Sequence, residues 1–76
     1  MLTHTLAEPN LARQEHLETL VQRRLGGRVR DLRITVRPNG LILEGWAVTY
    51  HAKQLAQHVA MELTPQPILA NDIEVR

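Results

Sequence analysis

At 76 residues the chain forms one small domain, too short for two hydrophobic cores. It has no cysteine, which excludes disulfides, thiolate metal sites and cysteine nucleophiles. A net charge of +1 argues against a general polyanion binder, and without Phe the core falls to Leu, Ile, Val and Ala.

Residues 1–9 carry no periodic pattern and read as a flexible N-terminal arm ahead of one domain over 10–76. Met1 to Leu6 show no basic start followed by an apolar stretch, and no apolar run reaches membrane-spanning length. A cytoplasmic protein is the expectation. Asn10 is a good N-cap, with Pro9 just before it. Leu17, Leu20, Val21 and Leu25 then form one helical stripe, from which Leu11 falls away. Gly26-Gly27 ends this helix, because a left-handed C-terminal residue costs least as glycine.

A hairpin follows from Val29. Asn39-Gly40 between two β-rich runs predicts a type I′ turn. Folding about that pair sets Val36 opposite Leu43, Ile34 opposite Gly45 and Leu32 opposite Ala47, an apolar face. The other face collects Arg33, Thr35, Arg37, Ile42, Glu44 and Trp46.

A second helix is predicted from Thr49 to Leu63, burying Ala52, Leu55, Ala56, Val59 and Leu63. Thr64-Pro65-Gln66-Pro67 breaks it. From Ile68 to Arg76 the chain alternates, with Leu69, Asn71, Ile73 and Val75 on one side of a third strand. The order α-β-β-α-β, with a right-handed crossover between the last two strands, predicts an α+β fold. It is a two-layer sandwich: a three-stranded mixed sheet with both helices on one face and the other face uncovered.

Three segments carry a resemblance. Leu41-Ile42-Leu43-Glu44-Gly45 matches an apolar-x-Leu-x-Gly strand, Ala52 to Ala60 an Ala-rich second helix, and Asn71-Asp72-Ile73-Glu74-Val75 a closing Asn-x-Ile-x-Val strand. Together, over residues 14–76, they resemble the BON domain, a small α/β module named from bacterial osmotic-shock and nodulation proteins. The resemblance implies binding to phospholipid surfaces or to proteins, without catalysis or cofactor. Where that family has Gly-Val before its last strand, this chain has Pro65-Gln66 and then Pro67, so no function of that loop carries over.

Six arginines fall between Arg23 and Arg37 against the single acid Asp31. Arg23 and Arg24 sit where cations complement a helix dipole. Arg28 and Arg30 flank the loop, and Arg33 and Arg37 project from the open face. The cluster reads either as a weak anionic-lipid contact, at about 1 kcal/mol per basic residue, or as solvated charge. Arg33 is expected over the Trp46 ring, with Ile42 beside Arg37. These residues form the candidate binding face: Arg28, Arg30, Arg33, Arg37, Ile42 and Trp46. Its expected partner is a protein, a second copy of the chain, or an anionic phospholipid surface. A single-stranded nucleic acid stacking on Trp46 is the alternative, opposed by Glu44 and Glu74. Tyr50, Gln54, Gln57 and Met61 mark a second outward surface on helix 2. His51 and His58 are two turns apart, a spacing that does not suit joint metal coordination. No nucleophile, acid–base pair or phosphate loop stands out, so neither enzyme activity nor metal is expected.

Overall fold

The structure, a computed structural model, describes residues 9–76, and side chains from Ala12 onward. Apart from Pro9, the expected arm therefore lies outside the described residues, as do His4 and the side chain of Leu11. The elements are α1 (Pro9–Leu25), β1 (Val29–Arg37), β2 (Gly40–Ala47), α2 (Tyr50–Leu63) and β3 (Ile68–Val75). Pro9 is the first helical residue rather than the residue before the cap, where its fixed φ and missing N–H cost nothing. Gly26 and Gly27, at φ 60° and 85°, end α1, and the Gly26 amide donates to the Gln22 carbonyl at 3.0 Å.

The sheet order is β1-β2-β3, with β1–β2 antiparallel and β2–β3 parallel. One buried cluster joins Leu17, Val21 and Leu25 of α1 with Ala52, Ala56, Val59 and Ala60 of α2. The strands add Val29, Leu32, Ile34, Leu41, Leu43, Ala47 and Ile73 to it. Leu20 is only half-buried, while Leu55 and Leu63 pack at the edge of the cluster. Thr49 caps α2 by accepting a hydrogen bond from the Ala52 amide at 3.0 Å.

The hairpin departs from its expected register. Arg37 pairs with Gly40, so Pro38-Asn39 and not Asn39-Gly40 form the turn. Proline holds φ near −65°, and Asn39 is not at positive φ, which rules out the type I′ turn. Val36 therefore faces Leu41, and Ile34 faces Leu43. This slip of two residues leaves every side chain on its expected face.

A β-bulge then intervenes between Arg30 and Arg33, setting Asp31 and Leu32 against Gly45 alone. Asp31 takes φ 54° to make it. Beyond the bulge Val29, not Leu32, faces Ala47, and Arg30, not Arg33, faces Trp46.

On β3 a second irregularity falls between Ile68 and Ala70. Leu69 is pushed out to 44% exposure, and Val75 stays 45% exposed, so Ile73 alone of the expected apolar row is fully buried. Asn71 turns toward α2, donating to the Lys53 carbonyl at 3.0 Å and to Gln57 Oε1 at 3.2 Å.

Candidate functional site

Alternation on the strands sets what the sheet face away from the buried cluster displays. The residues between the buried positions are Arg30, Arg33, Thr35 and Arg37 on β1, Ile42, Glu44 and Trp46 on β2, and Ala70, Asp72 and Glu74 on β3. All are exposed or half-buried. The register sorts them into rows: Thr35–Ile42–Ala70, Arg33–Glu44–Asp72 and Arg30–Trp46–Glu74. Across the strands, the face is basic on β1, apolar and aromatic along β2 except at Glu44, and acidic on β3.

Trp46 is the centre of one row. The Arg30 guanidinium lies 5.7 Å from its ring centroid and that of Arg76 lies 5.1 Å away. Each cation over the ring contributes about 0.5–1 kcal/mol at an exposed site. The expected Arg33–Trp46 stack is absent because the bulge moves Arg33 opposite Glu44. Alternation puts Arg76 on the outer side of the third strand, but only the parallel pairing of β3 with β2 brings it to Trp46. The Arg76 amide donates to the Ala47 carbonyl at 2.9 Å, which holds it beside the ring. Its guanidinium also reaches Glu74 Oε1 at 3.4 Å.

The bulge has its own requirement. Gly45 sits at φ 141°, and a Cβ there would lie 2.8 Å from the Arg30 carbonyl oxygen. Only glycine lets the backbone of β1 approach so closely, so Gly45 positions Arg30 over Trp46.

The six arginines do not converge. Arg24 donates to Glu62 at 2.6 Å, tying α1 to α2, and Arg28 donates to the Leu25 carbonyl at 3.3 Å. Of the expected site residues, Arg30, Arg33, Arg37, Ile42 and Trp46 share the sheet face, while Arg28 belongs to the end of α1. Arg33, Glu44 and Asp72 lie side by side in one row, yet no ion pair within 4 Å joins them to one another.

The β1 edge of the sheet is guarded by side chains of α1. Gln14, Glu18 and Gln22 form one stripe on α1 that runs along β1. Gln14 Oε1 accepts from the Val36 amide and Glu18 Oε2 from the Ile34 amide, both at 2.8 Å. Gln22 donates to the Val29 carbonyl at 3.1 Å. On β3 the Asn71 side-chain oxygen Oδ1 accepts from the Ile73 amide, two residues along the same strand, at 3.3 Å. Strand addition at the β1 edge therefore has to displace bonds already made. The sequence displayed the Gln14–Glu18–Gln22 spacing, but nothing in it said that β1 lay beneath.

The second expected surface is partly used up. Gln57 is drawn to Asn71, and Gln54 donates to Tyr50 Oη at 3.0 Å. Met61 stays 56% exposed, and a shallow groove there is lined by His51, Gln54, Leu55, Gln57, His58 and Met61. His58 pairs with Glu62 at 3.3 Å. Among the described residues no three His, Asp or Glu side chains are grouped to hold a metal ion. No helix of the described residues is long and apolar enough to cross a membrane.

No family model, curated protein or solved structure matches the chain.

Proposed function

We propose that the chain is a non-catalytic, BON-like interaction module that binds a protein through its uncovered sheet face. The observation that carries this reading is the row Arg30–Trp46–Glu74. With Arg76 it sets a half-buried indole within reach of two guanidinium groups, toward one end of a face that no other described element covers. Trp and Arg are the residue types that most often anchor protein contacts. The guarded β1 edge leaves the face and the β3 edge as the accessible sides of the sheet.

The charge layout favours a protein over the other partners. A phospholipid surface or a nucleic acid presents phosphates, and the face carries Glu44, Asp72 and Glu74 beside its arginines. Arg24 and Arg28 are engaged elsewhere. A partner with both signs of charge suits the face better.

Photo-crosslinking tests the reading. A photoreactive benzoylphenylalanine replacing Ile42, in cells that make the protein natively, is expected to give protein adducts. The same group at Arg13, on the exposed side of α1, is expected to give few. Equal adducts from both positions, or lipid adducts alone from Ile42, would overturn the proposal.

A further inference from the structure

Resting on that reading, we infer that the protein which covers this face is a second copy of the same chain, related by a two-fold axis along β2. The argument is one of charge order. Reading across the strands, β1 supplies Arg30, Arg33 and Arg37, β2 supplies Glu44 and Trp46, and β3 supplies Asp72 and Glu74, with Arg76 just past its end. Two such faces can meet about two in-plane axes. An axis across the strands lays β1 on β1 and acids on acids, which like-charge repulsion opposes. An axis along β2 reverses left and right but keeps each row at its own level. Arg33 then meets Asp72 of the second copy, Arg30 meets Glu74, and each pair occurs twice.

The central column fits the same axis. Trp46 meets its own image, each indole accompanied by the Arg30 and Arg76 guanidinium groups of its own chain. Ile42 likewise meets Ile42. Glu44 is out of place, facing its image with no ion pair to Arg33 of its own chain. Such an isologous contact closes on itself and stops at two copies.

The area sets the strength. Three strands about 4.8 Å apart and the eight residues of β2 give a footprint of roughly 350 Å² per copy, well under a standard interface. The dimer is therefore weak and reversible, and its charges make it sensitive to salt.

Sedimentation velocity over a concentration series tests this, with circular dichroism on every variant. The wild-type chain is expected to sediment as a reversible monomer–dimer mixture. Arg33→Glu and Asp72→Arg each weaken the dimer by about tenfold or more. The double variant R33E/D72R restores it, since the exchanged charges again meet across the axis. Glu44→Gln tightens it. A wild-type chain that stays monomeric at all concentrations overturns the inference, as does a double variant no better than either single one. If Ile42 crosslinks only to a different protein, the inference fails while the proposed binding face stands. If Ile42 crosslinks to no protein and the chain is monomeric, both fail.

Discussion

Gly45 and Arg30 are locked together by the bulge: the Arg30 carbonyl oxygen sits where a Gly45 side chain would begin, 2.8 Å from that Cβ position. Everything said of the binding face passes through this contact, because the bulge brings Arg30 rather than Arg33 to Trp46. Gly45→Ala is expected to destabilise the domain by about 1–3 kcal/mol, the range for forcing a side chain into a glycine-only backbone conformation. Urea denaturation measures it. A neutral Gly45→Ala would mean that β1 and β2 do not approach as described.

Asp31 bears the opposite strain. It holds φ 54° without being glycine, and a left-handed L-residue costs about 1–2 kcal/mol, somewhat less for Asp. Asp31→Gly should therefore raise the urea midpoint by the equivalent of up to about 1 kcal/mol. A lower midpoint would show that the Asp31 side chain contributes more than its backbone costs.

The helix stripe that guards β1 makes a separable prediction. Gln14→Ala and Glu18→Ala each leave a strand amide unbonded and should cost about 1 kcal/mol. Glu18→Gln keeps an acceptor and should cost less. Faster hydrogen exchange confined to the Ile34 amide in Glu18→Ala, and to the Val36 amide in Gln14→Ala, is the expected signature. Exchange unchanged at both would place those amides in other bonds.

Trp46→Ala and Ile34→Asp separate face from core. Trp46 is half-buried on the outer face, so its loss should cost about 1–2 kcal/mol and leave the circular dichroism of the fold intact. Ile34 is 1% exposed inside the cluster, and a carboxylate there has no partner, so Ile34→Asp should unfold the chain. If Trp46→Ala unfolded the domain instead, the indole would belong to the core.

How far the sequence led can be judged residue by residue. Periodicity and punctuation gave the elements in order, because Gly26-Gly27, Thr49 and the Pro65–Pro67 segment are strong local stops and starts. It gave the faces of the hairpin too, since a slip of two residues cannot turn a strand over. It did not give the register. Asn39-Gly40 is a strong turn signal, but Pro38 beside it takes a central turn position first. A Cβ at Gly40 would lie 2.5 Å from the Pro67 carbonyl oxygen, so this glycine serves the approach of the third strand rather than the turn. The bulge was hidden for a similar reason. An in-strand glycine such as Gly45 signals one, yet only the backbone opposite shows which residue is added. Unbroken alternation places Leu69 inside, but between Ile68 and Ala70 the ladder skips a residue.

Among the described residues one side of this sheet is open, with Trp46 toward one end of its central strand. Nuclear magnetic relaxation with a soluble paramagnetic agent, in dilute protein, measures that side by side for every residue. The side-chain signals of Ile42 and Trp46 are expected to relax faster than those of Ile34 and Leu43. Rates at Ile42 and Trp46 as slow as at Ile34 and Leu43, in a sample shown to be monomeric, would contradict it.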